Sequence, residues 1–207
     1  MAYVAWIKVR PVTSSERGNT MSRLCILFAA ALLFVPMALC QQEGTTREAY
    51  TGVALGTGGP MGGRSIMFDL RINHYATNED VLQLAQLLKE KGQDALRREL
   101  EKRDVGRINA VGSTGNQIAV ARKFKHGNQT IIRVFTARNM SFFELYRSGR
   151  STDYPFGYLQ LTLDENGKGV GQFIVAVRIS FDKKQGKYEM ESYGNQYVKA
   201  VNVRPMK

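Results

Sequence analysis

One stretch of the chain, residues 77–104, carries apolar residues at helical spacing, whereas the segments that flank it alternate apolar and polar residues. Within it Val81, Leu84 and Leu88 fall three and four positions apart, which puts them on one side of a helix. Gly92 predicts a stop, and a second, more polar helix follows it. We therefore expect a helical hairpin over about residues 77–104.

Alternation with a period of two predicts strands on both sides of this hairpin. The clearest examples are residues 64–75 and 169–181, where apolar side chains occupy every second position. Turn signals such as residues 164–167 separate consecutive strands. About eight antiparallel strands result, and a strongly curved sheet or barrel is how so many strands avoid exposed edges. The predicted fold class is α+β, mainly β, with the helical hairpin inserted between strands two and three.

The first 40 residues differ from the rest. Residues 1–20 show no clear periodicity, and we interpret them as a non-native N-terminal extension ahead of a start at Met21, with a start at Met1 left open. Residues 21–40 have a basic start, an apolar run and a small-residue exit, which is the layout of a secretory signal peptide. The apolar run is shorter than the roughly 18–20 residues that a spanning helix needs.

We therefore predict cleavage before Gln41 and a single mature β-rich domain over residues 41–207, without a transmembrane span. The predicted location is the periplasm or the medium. A lipoprotein anchored at Cys40 is the alternative, which the leucine before that cysteine disfavours. The chain has two cysteines, both before Gln41, so the mature part has no thiol for a disulfide, a nucleophile or a metal site.

The charge is strongly basic, with 29 Lys and Arg residues against 18 Asp and Glu. Four of the basic residues and one acidic residue precede Gln41, so the mature part keeps 25 against 17, a net charge of +8. Such a surface attracts polyanions. Because the chain has no nucleic-acid-binding motif, we expect no specific nucleic acid as a partner.

Catalytic signatures are missing from the sequence. It has two histidines, no HExxH or GxSxG motif and no clustered carboxylates. A nucleophile with its base and a zinc site therefore both lack the residues that they need. The glycine-rich loop at residues 56–65 lacks the Lys and Ser or Thr of a phosphate-binding loop and reads as a hairpin loop. The sequence thus favours a protein without catalytic activity, cofactor or metal. A hydrolase using Asp69, His74 and Asp153 is a third choice.

A lipid-like or other apolar small molecule, bound in a β-barrel-like fold, is the first functional hypothesis. An aromatic segment in the polar loop over residues 139–155 could line the mouth of the barrel, with an arginine meeting a headgroup. His74, which closes an apolar strand face in the sequence pattern, could contribute as well. The candidate ligand-binding residues are Phe142, Phe143, Tyr146, Arg147, Arg150 and His74.

The alternative hypothesis is an envelope or surface protein that binds an anionic polymer or partner chain through basic strand faces. Arg122 and Arg133 lie in the two arms of a predicted hairpin and can stand side by side, and Arg178 lies on a later strand. Arginines on a solvent face also serve solubility and keep strand edges from pairing, so the same residues permit a purely structural interpretation.

Several short segments resemble a group of exported bacterial proteins with no known activity. The matching segments are residues 89–96, 105–108, 151–156, 189–194 and 198–204, and the resemblance covers most of residues 47–204. It implies an exported single domain and transfers no activity.

Overall fold

A computed structural model describes residues 47–57, 62–138, 140, 153–192 and 198–206. Nine strands and one helix lie in these ranges. Their order along the chain is β1 (Glu48–Gly56), β2 (Ser65–Ile72), α1 (Asn78–Leu100), β3 (Gly106–Ala110), β4 (Asn116–His126), β5 (Gln129–Thr136), β6 (Phe156–Leu163), β7 (Gly169–Asp182), β8 (Lys187–Ser192) and β9 (Val198–Pro205).

Eight of these strands close into an antiparallel barrel. The strand order is β6-β5-β4-β3-β2-β1-β9-β7, and β7 also pairs with β6, which completes the ring. Closure leaves the ring without the open edge that a flat sheet of this size would expose. The predicted fold class is confirmed, including a helical element between the second and third strands.

The long strand β7 serves two partners in turn. Its first part, Gly169–Phe173, pairs with β9, and its second part, Val177–Asp182, pairs with β8. The second part of β7 and β8 therefore form a hairpin that extends beyond the barrel wall.

Apolar side chains fill the centre of the barrel. Phe68 of β2 and Phe173 of β7 meet edge to face in the lumen, with ring centroids 5.0 Å apart. Both are fully buried. A side chain that bordered a water-sized cavity would keep some accessible surface, so the centre is packed rather than hollow. Other fully buried residues of this core are Leu70, Ile72, Ile108, Ile118, Ile132, Met140, Leu159, Leu161 and Leu163.

The helix α1 begins and bends where its sequence dictates. Thr77 caps it, since its hydroxyl accepts from the Asp80 backbone N–H while the Asp80 carboxylate accepts from the Thr77 backbone N–H. Gly92 interrupts it with φ of 77° and ψ of −176°, a conformation that glycine tolerates and other residues rarely adopt. Arg103, just past the helix, returns to within 3.3 Å of Asp80. The two helical halves therefore fold back on each other, as the hairpin prediction requires.

A second apolar cluster joins α1 to the outside of the barrel. Val120, Phe135, Tyr158 and Ile174 are consecutive cross-strand partners on β4, β5, β6 and β7, and together they form one row on the outer face. The helix covers this row with side chains that recur at helical spacing and are buried, namely Leu84, Leu88, Leu96 and Leu100.

Candidate functional site

Most of the predicted ligand-binding residues lie outside the part of the chain that the structure describes. These are Phe142, Phe143, Tyr146, Arg147 and Arg150. His74 is described, but it does not continue an apolar strand face: β2 ends at Ile72 and the His74 side chain is exposed.

Arg122 and Arg133 are direct cross-strand partners, and both have roles within the fold. The Arg122 guanidinium donates to the Ala76 carbonyl at 2.8 Å and to Asn78 Oδ1 at 2.7 Å, which ties the start of α1 to β4. These bonds use two of the five N–H donors of the guanidinium within the fold.

Arg133 also has partners within the fold, whereas Arg178 lies in the hairpin beyond the barrel wall. The Nε of Arg133 donates to Gln160 Oε1 at 2.9 Å, and its guanidinium lies 4.9 Å from the centre of the Phe124 ring. Arg178 is exposed and faces Glu191 in the hairpin beyond the barrel. The structure thus brings together the first two predicted arginines but not the third.

Charge on the outer wall of the barrel has almost one sign. Strand residues whose cross-strand partners and alternation direct them outward include six basic residues and one acidic residue, Asp69, within the described ranges. The six are Arg71, Arg107, Arg122, Arg133, Lys199 and Arg204.

A second arginine pair on this wall was not predicted. Arg71 of β2 and Arg107 of β3 are direct cross-strand partners, and both are exposed. Their next neighbours in the same row are Ala49 and Gln117, so no carboxylate flanks the pair in its row. The Arg107 guanidinium donates to the Thr114 carbonyl at 3.1 Å.

Arg204 extends this basic region. It faces Thr51 of β1, and Thr51 in turn faces Asp69 of β2. We call Arg71, Arg107 and Arg204 the arginine surface. Asp69 is the one carboxylate in the neighbouring row, and three cations beside one anion leave the surface with net positive charge.

A polar network crosses one mouth of the barrel. Glu48 is the first residue of β1, and its carboxylate accepts a 2.6 Å bond from the Lys123 ammonium near the end of β4. Tyr50 and Tyr75 donate their hydroxyls to the other carboxylate oxygen at 2.9 and 2.5 Å. Because β1 and β4 are separated by two strands, the ion pair spans the lumen. We call these four residues the mouth network.

The network fixes the protonation of its members. Burial acts to raise the pKa of Glu48, but hydrogen bonds from Lys123, Tyr75 and Tyr50 outweigh it and hold that pKa below its ordinary value. Burial and the bond to Glu48 raise the pKa of both tyrosines. At neutral pH the carboxylate is therefore ionised and both hydroxyls keep their protons.

The described residues offer few groups for catalysis or metal binding. Among the described residues no three His, Cys, Asp or Glu side chains come close enough to hold a metal ion. Asp69 faces outward on β2, the exposed His74 follows β2, and Asp153, whose carbonyl accepts from Gln93, precedes β6. No helix in the described ranges is long and apolar enough to cross a membrane.

Comparison with known proteins adds no identity. No protein-family model, curated protein or solved structure matches this chain.

Proposed function

We propose that this protein is a non-catalytic binding protein that holds an anionic polymer on the outer wall of its barrel. The observation that carries the proposal is the exposed cross-strand pair of Arg71 and Arg107. Like charges directly opposite each other on a sheet reduce stability. An anion that bridges two guanidinium groups reverses that effect, because each offers a planar fork of donors suited to carboxylate, sulfate or phosphate oxygens.

The extent of the positive wall supports a polymer over a small ion. Six outward cations are spread over five strands of the ring. Neighbouring strands lie about 4.8 Å apart, so the charges are distributed over a distance that an extended chain can follow. The arginine surface is the part of this wall where the guanidinium groups are least used by the fold.

The first sequence hypothesis, an apolar or lipid-like ligand inside the barrel, has less support. Such a ligand at the centre would have to displace side chains such as Phe68 and Phe173, which are fully buried against each other. The barrel itself is compatible with ligand binding, because eight strands enclose an interior that holds either side chains or one small molecule.

The nature of the polymer follows from the proposed location. The leader pattern in residues 21–40 favours export. An exported basic protein meets acidic envelope polymers rather than genomic DNA. We therefore propose an acidic polysaccharide or a similar envelope polyanion as the partner.

Chromatography on an immobilised sulfated polysaccharide tests this function. The double variant Arg71→Ser/Arg107→Ser should elute at lower salt than the wild type, since two contacts with the polyanion are lost. Arg178→Ser is the matched control, because Arg178 is an exposed strand arginine beyond the barrel wall with Glu191 opposite. Equal elution of the double variant and the wild type would refute the proposal.

A further inference from the structure

We propose that the mouth network is a second binding site, which takes the acid group of a small organic anion at Lys123. The acid is a carboxylate or a phosphate ester, and its apolar part lies against the Tyr75 ring. This site is separate from the arginine surface, because it lies on the inner face of the barrel rather than on its outer wall.

Both carboxylate oxygens of Glu48 already accept hydrogen bonds, whereas Lys123 has N–H donors left for a second anion. The carboxylate accepts from Lys123, Tyr50 and Tyr75, so both of its oxygens are used. The ammonium has three N–H donors, and the structure gives it one acceptor, Glu48, within the described residues. The Lys123 side chain keeps 34% of its surface exposed while that of Glu48 keeps 17%. The unused donors therefore belong to the more open partner.

Among the described strand residues that face inward at this mouth, positive charge is in excess. Lys125 follows Lys123 two positions further along β4, on the same face and towards solvent, and is exposed. Two ammonium groups thus stand against the single carboxylate of Glu48. Tyr50 and Tyr75 remain neutral and add no charge that would repel an anion.

The barrel core limits the ligand's size. Glu48 faces Ile72 and Lys123 faces Ile132 across their strand pairs, and both isoleucines are fully buried. The next inward residues towards the centre on the same two partner strands, Leu70 and Val134, are fully buried as well. Packed side chains thus lie beside and beneath the polar groups. The Lys123 ammonium also lies 5.7 Å from the centre of the Tyr75 ring, so an anion at Lys123 has an aromatic surface beside it. These boundaries fit a short amphiphile whose acid group lies at Lys123 and whose apolar part lies against the Tyr75 ring.

To test the site, the full-length protein is titrated with sodium hexanoate while the NMR signals of the tyrosine rings are followed. Hexanoate should shift the Tyr75 and Tyr50 signals, and hexylammonium, which has the same tail and the opposite charge, should not. A parallel titration uses inorganic phosphate. A response to hexanoate, to phosphate or to both supports a site for an acid group and shows which acid it takes. Equal responses to hexanoate and hexylammonium, or no response to either acid, would overturn the proposal.

Variants assign the response to Lys123. Lys123→Met should weaken binding about tenfold or more, as expected for the loss of a hydrogen bond to a charged group. Lys168→Met is the control, since Lys168 is an exposed lysine in the turn between β6 and β7. If Lys123→Met unfolds, the double variant Glu48→Gln/Lys123→Met is measured instead, because it removes both charges of the ion pair. Hexanoate binding by that variant as strong as by the wild type would refute the site. Arg71→Ser/Arg107→Ser should keep the hexanoate response, which separates this inference from the proposed function.

Discussion

Glu48 and Lys123 lie 75 positions apart in the chain and 2.6 Å apart in the structure. Their ion pair connects the first residue of β1 to the last residues of β4 across the barrel mouth, although the two strands are not neighbours. It therefore links two parts of the ring that no backbone hydrogen bonds connect directly.

Acid should weaken the fold through Glu48. Its pKa is lowered in the folded state, so its contribution to stability is present above the unfolded pKa of about 4.3 and is lost as the pH falls through the folded pKa. Glu48→Gln should lower the free energy of unfolding at neutral pH by about 1–2 kcal/mol and should show a smaller further loss in acid. Urea unfolding at several pH values measures both effects.

The control for this prediction is Glu165→Gln, at an exposed turn position. It should leave the acid dependence unchanged. An acid dependence in Glu48→Gln as steep as in the wild type would show that other carboxylates, such as Asp80 with its lowered pKa, carry the effect.

Arg71→Thr should separate stability from binding. Removing one member of a like-charged cross-strand pair should raise the free energy of unfolding by about 0.2–1 kcal/mol, because the repulsion from Arg107 disappears. The same change should reduce retention on a polyanion. Thermal unfolding measures the change in stability, and salt elution of the same preparation measures the change in retention. A clear loss of stability would instead mean that Arg71 supports the fold.

Arg122→Ser should give the opposite result. Arg122 binds the Ala76 carbonyl and Asn78 at the start of α1, so its removal should destabilise the protein by about 1.5–3 kcal/mol. Polyanion retention should fall less than in Arg71→Ser. Chemical denaturation and elution measure these quantities. A large loss of retention with unchanged stability would return Arg122 to the binding surface.

Gln93 should matter to stability although it lies in the polar half of α1. Its amide donates to the Asp153 carbonyl at 3.2 Å and accepts from the Ile179 backbone N–H at 3.1 Å, which links the helix to the segment before β6 and to β7. Gln93→Ala should reduce the free energy of unfolding by about 1–3 kcal/mol, since both backbone groups lose a partner. Gln86→Ala, at an exposed helix position where the side chain bonds to Glu90 on the same helix, should change it by less than about 0.5 kcal/mol.

Much of the fold follows from local patterns in the sequence. Phe68, Leu70 and Ile72 alternate with outward polar residues, and this alternation alone identifies β2 and its inner face. The break at Gly92 and the buried Leu84 and Leu88 were likewise readable from spacing. The strand predicted over residues 64–75 ends at Ile72, because the chain turns towards α1 and the Asn73 backbone N–H donates to the Val105 carbonyl.

The candidate sites depend on relationships that no local pattern contains. Arg71 faces Arg107 only because β2 and β3 pair across the whole of α1, and the register of that pair cannot be read from either strand alone. Glu48 belongs to a segment that looks like an ordinary polar lead, and its partners Tyr75 and Lys123 are distant in sequence. The position of β9 between β1 and β7, which closes the barrel, has the same origin.

The most direct test of the central claim is the salt dependence of binding to a soluble sulfated polysaccharide. The logarithm of the binding constant should fall linearly with the logarithm of the salt concentration. For Arg71→Ser/Arg107→Ser the slope should be smaller than for the wild type by about two, one for each lost contact. For Arg178→Ser it should equal that of the wild type. A slope unchanged in the double variant would contradict a polyanion site at the arginine surface.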